Sequence, residues 1–216
     1  MSDDAHAARG ALLLAMRGAG VRDLAVLRAI EAVPREDFLP HRLRDLGNRN
    51  IAVPIACGQA MFSPLSLALM LDALAVRATD RVLEIGTGTG YATAVLVRLA
   101  GEVVTFERYR TLATEAQVRF TQRDLAVKVL IGDGLMPPSN FGSFDRAIVH
   151  AAIAQVPPAL AGAMRTNARI VSGIPADAAN AASLALWERT EDGAFAARRL
   201  VPMRLPAVQS GVARAL

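Results

Sequence analysis

The chain has 216 residues, 53% hydrophobic and only 5% aromatic, with a formal net charge of +4 and an isoelectric point near 10.1. That length accommodates one α/β domain with a full core and is too short for two ordinary domains; the apolar content suits Ala, Val, Leu and Ile packed between helices and a parallel sheet. The basic residues, all arginine except Lys128, are scattered among acids even where densest (Arg42, Arg44, Arg49; Arg198, Arg199), which argues against a nucleic-acid surface, and Cys57, the only cysteine, excludes an intrachain disulfide and points to a reducing compartment.

Along the chain, the start Met1-Ser2-Asp3-Asp4 is acidic, and the apolar run 11–16 is too short for a signal-peptide core. Residues 7–32 have helical character interrupted by Gly18 and Gly20, which predicts two short helices. Pro34, Pro40 and Pro54 then punctuate an irregular stretch read as a cap over the sheet edge. A helix follows, with Ser63 as N-cap, Pro64 at the first helical position, and Phe62 and Leu67 placed for a hydrophobic staple. Its apolar stretch, 65–76, is interrupted by Asp72, so no membrane span is expected.

The most informative string is 82–91, Val-Leu-Glu-Ile-Gly-Thr-Gly-Thr-Gly-Tyr. Val82, Leu83 and Ile85 have the content of a buried parallel strand, and 91–100 that of the helix after it. Gly86, Gly88 and Gly90 mark a sharp, bare turn at the carboxyl end of that strand, where a ligand can approach the backbone. Gly101 ends the helix, 102–106 is the next strand, and Glu107 sits at its tip, placed to accept both hydroxyls of a ribose. A third apolar strand, 127–133, ends in Asp133, where an adenine amino group can be held. Residues 144–150 form a fourth strand, 157–165 the helix behind it and 169–172 a fifth strand. The segments 183–188 and 194–201, joined by the turn at 191–193, predict an antiparallel hairpin.

The glycine spacing departs from the dinucleotide pattern G-x-G-x-x-G. With Glu84 before it, the string E-x-G-x-G-x-G resembles the first motif of class I S-adenosylmethionine methyltransferases. From about Val21 onward the chain resembles the protein-L-isoaspartate O-methyltransferase family. The likeness rests on Val33-Pro34-Arg35-Glu36-Asp37-Phe38-Leu39-Pro40, on Pro54-Ile55 with Gly58-Gln59, on the segment 81–91, and on Asp145-Arg146 through Ala151-Ala152 to Pro157. Outside the glycine loop these stretches are specific to that family. The resemblance implies one α/β domain over 1–216, with a helical and irregular cap (1–62) and a Rossmann-like core (63–216). The core sheet is expected to be mostly parallel, with helices on both faces and a C-terminal antiparallel hairpin. It further implies a cytoplasmic monomer that methylates isoaspartyl residues of damaged proteins, with S-adenosylmethionine as methyl donor, S-adenosylhomocysteine as product, and no metal, nucleic-acid or membrane partner. Three scattered histidines and one cysteine offer no ligand spacing for a metal.

Carried over residue by residue, the cofactor would be met by Glu84, Gly86, Thr87, Gly88, Gly90, Tyr91, Glu107, Arg108, Gly132, Asp133 and Gly134. The acceptor would be met by Cys57, Gly58, Gln59, Ala60, Phe62 and His150. The acceptor loop departs from the family pattern. Where the family has Thr-Ile-Ser-x-Pro, this chain has Ala60-Met61-Phe62-Ser63-Pro64, so both hydroxyls leave their positions and Ser63 is the neighbouring candidate for the catalytic role. The family's Pro-Gly-Gly-Arg is Thr166-Asn167-Ala168-Arg169 here, and its Thr before Ala-Ala is His150. For His150, a base or carboxylate donor stands beside a packed ring, and for Cys57 a reactive thiol beside a small packed residue. Two other outcomes stay open: a methyltransferase with another carboxylate or hydroxyl acceptor, and a cofactor-binding regulatory protein without turnover.

Overall fold

The computed structural model describes residues 3–213; Met1 and Ser2 of the acidic start, and the last three residues, lie outside the described residues. Two helices open the chain, α1 (Asp3–Gly18) and α2 (Leu24–Ala32), broken as expected beside Gly20, whose φ is +103°. Asp23 caps α2 by accepting from the Ala25 N–H. Three 3-10 turns and a two-strand ribbon, β1 (Val53–Pro54) with β2 (Ala60–Met61), occupy the irregular stretch. In α3 (Pro64–Leu74), Ser63 accepts from the Ser66 N–H, the cap that the sequence predicts. Asp72, the one charge in that apolar helix, accepts the backbone N–H groups of Arg22 and Asp23 at 2.7 and 2.8 Å. It therefore fastens the α1–α2 break to α3, satisfying donors that a helix start otherwise leaves unpaired.

The core sheet contains β3 (Arg81–Ile85), β4 (Glu102–Glu107), β5 (Lys128–Ile131), β6 (Phe144–Ala152), β7 (Met164–Ile174), β8 (Ser183–Arg189) and β9 (Phe195–Pro202), interleaved with α4 (Tyr91–Val97), α5 (Arg110–Thr121) and α6 (Pro158–Gly162). Its spatial order is β5-β4-β3-β6-β7-β8-β9, with β3 to β7 parallel and β8 antiparallel to both neighbours. The mostly parallel sheet and the C-terminal hairpin are both present. Side chains alternate across it: Val82, Val103, Ile148 and Val171 join one apolar cluster with α2, α3, α4 and α5, while Leu83, Val104, Val149 and Ile170 join another with Leu160 of α6. Helices lie on both faces as expected, though among the described residues the second face carries just the five-residue α6 and the 3-10 turn Ser139–Phe141. The expected helix 157–165 is cut short because β7 starts early: Phe144 pairs with Met164, and the Phe144 N–H donates to the Ala163 carbonyl. Likewise α4 stops at Val97 and not at 100, and β5 ends at Ile131, leaving Gly132 and Asp133 in the bend beyond the strand.

Candidate functional site at the strand tips

Parallel strands put all their carboxyl ends on one side, and β3 followed by neighbours on either hand creates a crevice there, the usual ligand position in open α/β sheets. A cavity of about 500 Å³ occupies it, within the range of small-molecule sites. Gly86, Thr87, Gly88 and Tyr91 line it from the first loop, Glu107 and Arg108 from the tip of β4, Gly132, Asp133 and Gly134 from beyond β5, and Gly58, Gln59, Ala60, Phe62 and His150 from the opposite wall. The loop glycines Gly86 and Gly88 have φ of +99° and +55°, left-handed values that side chains rarely adopt.

Glu107, only 4% exposed, accepts from the Gly88 N–H at 2.8 Å through one oxygen and from the Tyr109 N–H at 3.0 Å through the other. Each carboxylate oxygen keeps acceptor capacity, so the same group that sets the loop can meet two hydroxyls. Asp133 accepts from the Leu135 N–H at 3.0 Å and from the Gly211 N–H at 2.7 Å. The second partner belongs to the segment after β9. That tail pairs with the end of β6, where Ala152 N–H donates to the Pro206 carbonyl and Val208 N–H to the Ala152 carbonyl. Arg108 then bonds to Gln209, Ser210 and Gly211, and Pro206 to Gln209 complete the cavity wall. Sequence reasoning missed this tail, since a short run without periodicity carries no sign of where it docks. It also missed Tyr109 and Leu112, which line the cavity from the start of α5; their place next to a strand-tip acid was the available signal.

Four of the expected site residues sit elsewhere. Ser63 is not among the cavity-lining residues, and its hydroxyl is engaged with Ser66 as the α3 cap. Cys57 is also outside the lining. Burial, then the nearby Glu107 and Glu115, push its thiol up. Gly90 begins α4 with φ +90°, and a Cβ there would meet the Phe120 ring at 2.6 Å; it serves helix packing, not the cavity. Glu84 is fully buried beneath the loop, where it accepts from the Thr93 hydroxyl and pairs with His150 Nε2 at 2.9 Å. An ionised carboxylate can only accept, so Glu84 supports His150 from behind and does not reach the cavity itself.

The Val33–Pro40 motif proves to brace the acceptor wall. Arg35 is 3% exposed and donates to the carbonyls of Ile51 at 2.9 Å and Phe62 at 3.0 Å, with longer bonds to Leu46, Gly47 and Arg49 and to Met61 Sδ. Desolvation lowers the guanidinium's pKa, partly opposed by Tyr91, whose own phenol burial pushes up. Among the described residues no cluster of His, Cys, Asp and Glu is arranged to hold a metal, and no helix is long and apolar enough to cross a membrane.

Comparison with known proteins places this geometry in context. The family model "Protein-L-isoaspartate(D-aspartate) O-methyltransferase" matches residues 7–211. A protein of Azorhizobium caulinodans named protein-L-isoaspartate O-methyltransferase is 45% identical over 176 residues, 81% of each chain. One of the same name from Rhodopseudomonas palustris is 40% identical over 204 residues, 94% of each. Among solved structures, one titled protein-L-isoaspartate O-methyltransferase superposes with a TM-score of 0.79 at 22% identity, covering 94% of this chain and 66% of that one. A Plasmodium falciparum structure, titled as a putative protein-L-isoaspartate O-methyltransferase in complex with S-adenosyl-L-homocysteine, gives 0.75 at 19% identity over 92% of this chain and 97% of its own.

Proposed function

The chain belongs to the protein-L-isoaspartate O-methyltransferase family, and on that premise we propose that it methylates the α-carboxylate of isoaspartyl residues in damaged proteins, using S-adenosylmethionine and releasing S-adenosylhomocysteine. One observation carries the reading: two buried or half-buried strand-tip carboxylates, Glu107 and Asp133, and the glycine loop share a single cavity with the 58–62 wall. A nucleoside fits that donor set, because Glu107 has acceptor capacity for a diol and Asp133 for an amino group, beside bare backbone at Gly86 and Gly88. Glu84 and Gly90 support this loop from outside the cavity. When bound, S-adenosylmethionine supplies a methyl group on a positively charged sulfur.

A carboxylate acceptor already carries its lone pairs at neutral pH, so no strong base is needed; positioning and water exclusion supply the acceleration. Glu107 and Asp133 fix one end of the bound nucleoside, and the wall from Gly58 to Phe62, braced by Arg35, bounds the side from which an acceptor enters. We also propose that the chain acts in the cytoplasm as a monomeric single domain, on polypeptides and neither nucleic acid nor lipid. Its scattered arginines and lone Cys57 support that placement.

A second reading has its own support. Ala60 and Phe62 face the cavity without hydroxyls and Ser63 is spent on the cap, which suits an altered carboxylate or hydroxyl acceptor, or binding without turnover. Incubation with tritiated S-adenosylmethionine and an isoaspartyl peptide separates them. Base-labile label on the peptide supports isoaspartyl methylation. No label, under conditions where a control enzyme works, rejects it; label on other acceptors then indicates altered specificity, and cofactor binding alone indicates no turnover.

A further inference from the structure

His150 stands where the two halves of the cavity meet. A Cβ placed on Gly86 of the cofactor loop would lie 3.2 Å from the His150 Cβ, and the Phe62 ring of the acceptor wall packs at 5.6 Å between centroids. Behind it, Nε2 is 2.9 Å from the buried Glu84, whose other oxygen takes the Thr93 hydroxyl. With Glu84 as a carboxylate, which only accepts, Nε2 is the ring nitrogen that donates. Nδ1 has no hydrogen-bond partner among the described residues and is not a buried, unpartnered atom, so it is the ring nitrogen left for the cavity.

The rest of the acceptor side offers few donors. Residues 58–62 bring no charge, the Gln59 amide donates to the Cys57 carbonyl and Tyr109 Oη, and Arg108 is held by the tail. The charged or titratable groups facing the ring or lining the same cavity are Glu84 on β3, Tyr91 on α4, Glu107 and Arg108 at the tip of β4, Tyr109 at the start of α5, and Asp133 beyond β5; Asp72 of the packed α3 is occupied by backbone N–H groups. Glu107 and Asp133 also hold backbone N–H groups.

We propose that His150 is a catalytic residue that anchors the acceptor carboxylate, taking up a proton at Nδ1 as that carboxylate enters. The inference rests on the carboxylate-methylation reading above. A neutral ring would present the Nδ1 lone pair to an anion, which repels; the protonated ring donates a charge-assisted hydrogen bond to one carboxylate oxygen and leaves the other free to attack. In the transfer, the free oxygen's electron pair forms the O–C bond, the S–C pair stays on sulfur, and the proton stays on Nδ1. The product ester is neutral, so its hold on the ring weakens as the reaction ends.

The test is calorimetric titration of an isoaspartyl peptide into protein saturated with S-adenosylhomocysteine, in two buffers of different ionisation heat and over a pH series. The expected result is net proton uptake on binding and affinity that falls as pH rises. His150→Thr and His150→Gln, with folding verified by circular dichroism and both variants saturated with S-adenosylhomocysteine, should bind the peptide about tenfold more weakly under acidic conditions, equivalent to about 1.4 kcal/mol, and take up no proton. Equal proton uptake in parent and variants, affinity that rises with pH, or no peptide binding by the parent overturns the role of His150. Proton-coupled binding without methyl transfer instead rejects the function while leaving the anchor in place.

Discussion

Replacing Arg35 with Met keeps an unbranched stem, shorter by the guanidinium, and removes all the donors that Arg35 offers the 46–62 segment. Two of its bonds are short, to the Ile51 carbonyl at 2.9 Å and the Phe62 carbonyl at 3.0 Å; those to Leu46, Gly47 and Arg49 are 3.3–3.4 Å. Charge-assisted bonds of the shorter kind contribute about 1.5–3 kcal/mol each, and the stranded carbonyls add a desolvation cost. Removing a cation that burial already disfavours offsets part of that loss, which leaves a net destabilisation of about 3 kcal/mol. In a chain of this length each kcal/mol moves the melting temperature by roughly 2–4 °C, so Arg35→Met should melt roughly 6–12 °C lower. Because Glu107, Asp133 and the glycine loop hang from other elements, S-adenosylhomocysteine affinity should hold while KM for the peptide rises. Differential scanning fluorimetry measures the melting shift, calorimetry the cofactor affinity, and initial-rate kinetics the KM. A melting shift under roughly 2 °C, or equal losses of cofactor and acceptor binding, would refute the account of Arg35 as the brace of the acceptor wall.

Gly90→Ala places a side chain at φ +90° within 2.6 Å of the Phe120 ring; chemical denaturation should show a loss of about 2–4 kcal/mol, and parental stability would contradict the packing role. Desolvation raises the Asp145 carboxyl, but the Arg81 N–H and the Arg165 and Arg146 guanidiniums outweigh it and hold it below its ordinary value. Its contribution is therefore full above the unfolded value of 3.8 and is lost as pH falls through the lower folded one. Solvent screening keeps it under about 1 kcal/mol, and Asp145→Asn should flatten that part of a melting-temperature series in acid; an unchanged series counts against the pairing. Since burial and the carboxylates of Glu107 and Glu115 raise the Cys57 thiol, iodoacetamide should label it slowly at neutral pH, and labelling faster than free cysteine would show an activated thiolate.

The sequence by itself determined the local events. Gly20 ended one helix, Ser63 and Pro64 began another, and three apolar runs ending in Gly86, Glu107 and Asp133 announced strand tips, because turn chemistry and apolar periodicity act over a few residues. The cavity-lining roles of Gly86, Glu107 and Asp133 followed, since parallel strands must present those ends together. Tertiary structure decided what depends on contacts between distant residues. It turned Glu84 downward onto His150, used Ser63 as a cap, set Gly90 against Phe120, and drew the tail from Pro206 to Gly211 over the crevice to reach Ala152, Asp133 and Arg108. In each case the choice among donors, acceptors and packing partners was made by which groups the folded sheet brought within reach, and no spacing along the chain encodes that distance.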